Sequence, residues 1–174
     1  IAVPGYRVAI LDDNGTELPS GQVGRLAVKG PTGCRYLADE RQKTYVYDGW
    51  NLPGDAARMD EDGYIWYEAR TDDMIVSSGY NVGAPEVENA LLKHPAVSEC
   101  AVVGKQHEQR GTIIKAFVVC ADNVNVGSEL AVELQNHVKN TIAPYKYPRE
   151  VEFVSELPKT GTGKIQRFRL REIA

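Results

Sequence analysis

Histidine and cysteine are scarce, with three of each among 174 residues, and their placement excludes several classes of chemistry. His94, His107 and His137 have no G-x-S-x-G elbow and no partner cysteine nearby, so no hydrolytic triad is expected. No H-E-x-x-H and no His/Cys cluster is present, so no metal site is expected. His94 ends one predicted helix and His137 lies within another, and both read as solvated or capping side chains. Cys34, Cys100 and Cys120 are odd in number and lack C-x-x-C spacing. Cys100 and Cys120 fall in apolar runs, which suits buried free thiols in a reducing compartment. Long hydrophobic runs are missing too: none reaches the roughly 18 apolar residues that would suggest a membrane-spanning helix. No basic stretch followed by an apolar core opens the chain, as a secretory leader would. A cytoplasmic protein is the expectation.

What is present is an ordinary globular composition, 43% apolar and 25% charged, in a length that suits one medium domain or two small ones. The net charge of −4 is uneven. Residues 1–70 carry 8 Lys/Arg against 11 Asp/Glu, whereas residues 158–174 carry Lys159, Lys164, Arg167, Arg169 and Arg171 against Glu172 alone. A basic end on an acidic chain invites a nucleic-acid reading. No RNP, zinc-finger or helix-turn-helix pattern accompanies it, and a small anionic ligand explains a local patch equally well.

Two stretches look like known ion-binding loops and are not. In "PKTGTGKIQR" (residues 158–167), a P-loop with Gly163-Lys164 as its GK needs glycine at residue 158 and Ser/Thr at residue 165, which are Pro158 and Ile165. The stretch also ends a chain instead of opening a βαβ unit. In "DEDG", an EF-hand with Gly63 at its sixth position needs carboxylates at Arg58 and Ala69. It is a turn.

Residues 6–12, 24–29 and 64–68 read as strands in a turn-rich region, with Gly, Pro and Asp clustered between them. After residue 70 the pattern changes. "APEVENALLKH" has Pro85 near a helix start and Val87, Ala90 and Leu91 at helical spacing. "SECAVVG" and "IIKAFVV" read as strands. "SELAVELQNHVKNTI" takes Ser128 as its N-cap and puts Leu130, Leu134 and Val138 on one face. "EVEFVSEL" alternates, and a short basic helix follows Gly163. The order β-α-β-β-α-β-α predicts a small α+β module over residues 71–174, preceded by a β-rich piece over residues 1–70. The chain opens on Ile1 and in mid-pattern, the expectation for a piece of a longer protein.

Three polar stretches remain: "DGWNLPGD", ending in Asp55; "ARTDDMIVSSGYNVGAPEVE", opening with Arg70; and "LPKTGTGKIQR", with Lys164 between glycines and a hydrophobic residue. Taken singly they read as a surface turn, a linker with a hairpin, and a flexible basic tail. Together, in this order, they resemble the adenylate-forming (AMP-forming) acyl-CoA synthetase superfamily of ligases, luciferases and peptide-synthetase adenylation domains. "GRLAVKGPTGCRYLADERQKT…DGWNLPGD" is similar to that family's GEL-x-x-x-G…W-x-x-(S/T)GD segment. The second stretch is similar to its GR-x-D-D-x-I-x-x-x-G-x-x-(I/V)-x-P-x-E-(I/V)-E segment, and the third to its closing P-(K/R)-T-x-x-GK-(I/V)-x-R segment. "APYKYPREVEFVSELPKTGTGKIQRFRLRE" is most similar to benzoate- and 2-aminobenzoate-CoA ligases.

The resemblance implies that a small-molecule carboxylate, an aromatic one by the similarity of that last segment, is joined to ATP's α-phosphate and then passed to CoA. Lys164 matches the lysine placed between carboxylate and α-phosphate, where a cation lowers the repulsion of two anions. Asp55 matches the carboxylate that accepts hydrogen bonds from the ribose, and Arg70 the arginine that also reaches it. Asp72 matches a hinge about which the small domain turns between the two steps. Gly79 and Tyr80 match the pantetheine channel, and Arg110, Tyr145, Lys146 and Arg149 the region that meets the CoA nucleotide. Residues 1–70 correspond to the end of the large AMP-binding domain, with residues 71–174 as the mobile C-terminal domain.

Two departures stand out. Gly33-Cys34-Arg35-Tyr36 replaces a more usual small residue and Gly-Tyr. The Ser/Thr/Gly-rich phosphate loop and the Y-G-x-T/S-E segment, which hold triphosphate, Mg2+ and the acyl group, are not in this chain. A fragment of this extent is expected to be inactive without the missing N-terminal part. The alternatives are an adenylation domain that loads a carrier protein, a non-catalytic nucleotide-binding or regulatory module, and a nucleic-acid binder working through the basic end.

Overall fold

A computed structural model describes residues 1–33, 38 and 40–174, so Cys34 and the Arg35–Tyr36 departure lie outside the described residues. The chain divides into two compact units, Ile1–Asp72 and Asp73–Ala174.

The first unit is built on one six-stranded sheet. β1 (Arg7–Leu11) and β2 (Val23–Lys29) pair antiparallel, and a short helix α1 (Arg41–Tyr45) leads into β3 (Val46–Tyr47) and β4 (Trp50–Asn51). β5 (Asp55–Met59) and β6 (Ile65–Arg70) complete it in the order β3-β4-β2-β5-β6, with β1 also on β2. The three strands expected from alternation are present, whereas β3, β4 and β5 went unread. Two-residue strands carry no alternation to read, and β5 ("DAARM") has alanines where β-branched residues would flag a strand. Ala9, Leu11, Ala27 and Trp50 form this unit's buried cluster. "DEDG" is a turn: Asp60 Oδ1 accepts the backbone N–H of Asp62 and Tyr64, and Oδ2 accepts Trp66 Nε1–H at 2.9 Å. The indole bond, with the turn N–H groups behind it, holds the Asp60 carboxyl below its ordinary range.

The second unit opens with a hairpin, β7 (Met74–Ser77) and β8 (Tyr80–Gly83), whose loop is Ser78-Gly79. Both loop residues have positive φ, 52° and 83°, as a type I′ turn requires. Helix α2 (Ala84–Leu91) follows, with Gly83 as N-cap and Pro85 in its first turn. β9 (Val97–His107) and β10 (Gly111–Cys120) form a long antiparallel pair, and β11 (Glu150–Phe153) joins β10 in parallel after helix α3 (Ser128–Thr141). A parallel partner needs a crossover, and α3 supplies it. The unit is therefore a small α+β fold. Period-2 alternation gives the sheet two buried faces. Val102, Ile114, Ala116 and Val118 pack with Val87 and Leu91 of α2 and with Leu130, Leu134 and Val138 of α3. Ala101, Val103 and Phe117 point the other way, against Leu157 and against Leu170 of the last helix, α4 (Arg167–Glu172).

Ser128 is not the N-cap of α3. Gly127, in extended backbone, holds that position without a side-chain bond, and Ser128 is the first helical residue. Nor is the basic end a flexible tail: Leu170 is 2% exposed and anchors α4 on the sheet. Leu134 is wholly buried in the α3 seam. Leu134→Ala is expected to lower stability by about 2–5 kcal/mol, read from urea unfolding midpoints.

His94 and His137 are packed within the second unit instead of solvated, whereas His107 is exposed. His94 is buried; its Nδ1 accepts the Ala96 N–H at 3.2 Å and its Nε2 meets Glu133 Oε1 at 3.2 Å. His137 reaches the Ala90 carbonyl at 3.0 Å, and the two rings meet edge to face. Cys100 is buried and Cys120 half-buried, and both are free thiols. Burial, aided by the Glu88 carboxylate, pushes the Cys100 thiol from its ordinary 9.0 up to about 12. A raised folded-state value means that this stabilising contribution is complete below pH 9.0 and is lost as pH rises through about 12. Iodoacetamide at pH 8 is therefore expected to leave Cys100 unlabelled in the folded protein and to label it in denaturant, as peptide mass spectrometry would show.

Candidate functional site

In the first unit, Asp55 opens β5 and Arg70 closes β6, and the two are register partners. Arg70 Nη1–H donates to Asp55 Oδ1 at 2.8 Å and to the Pro53 carbonyl at 3.0 Å. Gly54 makes this approach possible. Its φ is +82°, and a Cβ there would come within 2.7 Å of Arg70 Nη2. The Thr71 N–H bonds to the Gly54 carbonyl at 2.9 Å, locking the strand end to the loop. A carboxylate that is one-quarter exposed thus stands beside a half-exposed guanidinium. One accepts hydrogen bonds from hydroxyls and the other donates to oxygen, which is the chemistry that a vicinal diol requires.

In the second unit, Lys164 closes a tight turn. The Thr160 N–H donates to the Lys164 carbonyl at 2.8 Å, and the Lys164 N–H returns a bond to Thr160 Oγ1 at 3.1 Å. Gln166 N–H to the Pro158 carbonyl, at 2.8 Å, seals the base of the loop. Gly163, with φ of +83°, supplies the left-handed residue that the turn needs. Lys159 is spent on Glu99, 2.6 Å away, while Lys164 is exposed. The loop therefore presents the exposed Lys164 side chain from a hydrogen-bonded backbone, and Lys159 near it is already ion-paired.

Asp72 ends the first unit, within a 3-10 turn spanning Thr71–Asp73. Gly79 is the left-handed residue of the β7–β8 turn, and a Cβ on it would meet nothing within 4 Å. Turn geometry accounts for this glycine without any ligand. Tyr80 and Tyr145 stack with ring centroids 4.4 Å apart, both rings partly exposed. Lys146 lies 5.7 Å from the Tyr145 ring and pairs with Glu86 at 2.6 Å. Tyr80, Tyr145 and Lys146 are thus one cluster. Arg149 turns elsewhere, donating to the Tyr147 hydroxyl at 2.8 Å, and Arg110 is an exposed residue of the β9–β10 turn.

Sequence reasoning missed Glu86, Asp73, Glu88, Arg167 and Arg171. Arg167 binds Glu88 and Asp73, and Arg171 binds Asp73. The signal available was the i, i+4 spacing of the two arginines on a predicted helix, which puts them on one face. With Lys159 on Glu99, three of the five basic residues behind the nucleic-acid reading are therefore committed within the unit. Among the described residues no cluster of three or more His, Cys, Asp or Glu is placed to hold a metal, and no helix is long and apolar enough to cross a membrane.

Residues 86–164 match the family described as the AMP-binding enzyme C-terminal domain. The chain is 50% identical over 173 residues to the uncharacterised acyl-CoA ligase YtcI of Bacillus subtilis, covering 97% of this chain and 33% of that protein. An anthranilate CoA ligase solved with anthranoyl-AMP superposes with a TM-score of 0.83 at 39% identity, over 98% of this chain and 34% of the other. A benzoate CoA ligase from Burkholderia xenovorans superposes with a TM-score of 0.78 at 41% identity, over 97% and 34% respectively. The chain thus spans about a third of the length of the curated relatives it matches, and corresponds to their C-terminal portion.

Proposed function

We infer, from the match of residues 86–164 to the AMP-binding enzyme C-terminal domain family, that the chain is the C-terminal part of an ATP-dependent, AMP-forming acid–thiol ligase. The full-length protein would join an aromatic carboxylate to the α-phosphate of ATP, release pyrophosphate, and transfer the acyl group to CoA. The observation that carries this reading is the exposed ammonium of Lys164 on its closed turn. Carboxylate and α-phosphate are both anionic, and a cation held against them lowers the barrier to their approach. A backbone already fixed by its own hydrogen bonds places that charge with little further ordering.

The Asp55–Arg70 pair supports ribose recognition, and the Tyr80–Tyr145 stack beside Lys146 supports an adenine face next to a phosphate cation for CoA. Gly79 lies at the hairpin turn beside this proposed surface, whereas Arg110 and Arg149, outside the cluster, enter as proposed CoA contacts on the family resemblance alone. Asp72, in the 3-10 turn at the unit boundary, is the proposed hinge. Mg2+ would accompany ATP on residues beyond this chain. The free thiols suit the cytoplasm. The benzoate and anthranilate ligases among the structural neighbours favour an aromatic acid.

The test supplies the full-length protein with ATP, benzoate-type acids and CoA, and follows pyrophosphate and thioester. Pyrophosphate release with thioester formation is the expected result. Pyrophosphate release with transfer only to a carrier protein would replace CoA as acceptor. No effect of nucleotide would make the chain a non-catalytic module. At Asp55 the expectation is narrower. Asp55→Ala should raise the KM for ATP about tenfold and abolish discrimination against 2′,3′-dideoxy-ATP, measured by steady-state kinetics.

A further inference from the structure

The residue three places after Lys164 is committed to the opposite end of its unit. The Arg167 guanidinium forks onto Glu88, with Nε–H to Oε1 at 3.1 Å and Nη2–H to Oε2 at 2.7 Å, and its Nη1–H reaches Asp73 Oδ2 at 3.3 Å. One turn along α4, Arg171 Nη2–H donates to the other Asp73 oxygen at 2.6 Å. Glu88 Oε1 also accepts the backbone N–H of Val102 on β9 at 2.9 Å. The side chains of Asp73 and Glu88 are each only 10% exposed, so these contacts are largely shielded from water.

Asp73 is the first residue of the second unit and the last of the Thr71–Asp73 turn. One helix therefore grips both carboxylate oxygens of the residue at which the chain enters the unit. The same helix begins at the base of the Lys164 turn, sealed by Gln166. Through Glu88 and Val102, both ends are fastened to α2 and the central sheet.

We propose that Arg167 and Arg171 are positioning residues that bind the Lys164 turn to Asp73, the residue directly after the proposed hinge at Asp72, so that a change of backbone at that hinge moves the lysine without slack. Shielded guanidinium–carboxylate pairs suit this role, because a fork fixes direction as well as distance. Glu88 secures the clamp to the body of the unit, and Asp73 is the point at which the hinge segment is held. This inference rests on the proposed reaction. It predicts that loosening the clamp damages the step that needs Lys164 in place and spares the step that does not.

The experiment uses the full-length protein carrying Asp73→Asn, Arg171→Gln, or both, with Lys164→Ala alongside. Two half-reactions are timed separately: pyrophosphate release from ATP and acid, and thioester formation from supplied acyl-adenylate. Asp73→Asn and Arg171→Gln are each expected to lower kcat of the first about 10-fold, with the KM for ATP and the second half-reaction held within about twofold. Because the two residues share one contact, the double variant is expected to be no slower than the worse single variant. Arg171→Lys, which keeps the charge at the Asp73 end, should recover part of the loss. Equal losses in both half-reactions, or losses that track a lowered melting temperature, would overturn the proposal in favour of a merely structural clamp. So would a wild-type first half-reaction in Arg171→Gln, the milder variant, which stands in should Asp73→Asn fail to fold. If Lys164→Ala itself leaves pyrophosphate release intact, it is the proposed reaction that fails.

Discussion

Lys164→Ala in the full-length protein is expected to lower acyl-adenylate formation about 10²–10³-fold, the scale on which loss of one preorganised electrostatic contact acts. Thioester formation from supplied acyl-adenylate should continue at close to the wild-type rate. The asymmetry follows from charge. Adenylation drives a carboxylate onto a phosphate, whereas thiol attack on an acyl-adenylate expels a phosphate that is already bonded to carbon. Only the first requires a cation between two anions. The substitution is also structurally mild. The turn is held by the backbone N–H and carbonyl of residue 164, by Thr160 Oγ1, and by the Gln166–Pro158 bond, none of which involves the ammonium. A melting temperature unchanged from wild type would show this directly. Wild-type rates in both half-reactions would make the loop an ordinary connection and remove the central residue of the proposed function.

The second large effect is on stability. Glu88→Ala is expected to cost about 3–5 kcal/mol, the range for breaking a buried ion pair at one partner. The magnitude comes less from attraction lost than from what is left behind. The Arg167 side chain, only 22% exposed, would lose both bonds of its fork, and the Val102 N–H would lose its acceptor. Glu99→Ala is the matching control. It removes the partner of Lys159, a pair with both side chains about 40% exposed, and should cost about 0–1 kcal/mol. Urea unfolding midpoints of the two variants decide the matter. A loss below about 1 kcal/mol for Glu88→Ala would mean that the shielded network contributes no more than a surface pair does.

Periodicity was informative where elements were long. Val87, Ala90 and Leu91 on α2, and Leu130, Leu134 and Val138 on α3, are buried as their spacing requires, and the alternating run of β9 and β10 covers both sheet faces. It failed where elements were short or bland, as at β3, β4 and the alanine-rich β5. It also put the α3 cap one residue late, because a glycine in extended backbone can open a helix and leave an adjacent serine unused. At the candidate site, the sequence pointed to Asp55, Arg70 and Lys164 through three stretches that resemble one family's segments in order, and the structure gives two of the glycines there a reason. Gly54 makes room for a guanidinium and Gly163 turns the lysine loop. The acidic partners were not legible. Asp73 and Glu88 look like solvated charges on a turn and a helix, and only the fold shows that Arg167 and Arg171, 79 to 98 residues away, reach them. Ion pairs at that separation leave no local pattern.

The Arg171–Asp73 contact joins two points 98 residues apart in sequence. Bringing such distant points together is entropically costly and can happen only after the intervening chain has been made. On the ribosome, α2 and the β9–β10 pair can gather from neighbouring sequence, but Asp73 and Glu88 must wait as unpaired acids until residues 167–171 emerge. α4 therefore closes this seam late, after the sheet it packs on has been made. Chains stalled or clipped just after Lys164 would carry the lysine turn on a unit whose seam is still open, and would be the forms most exposed to proteolysis.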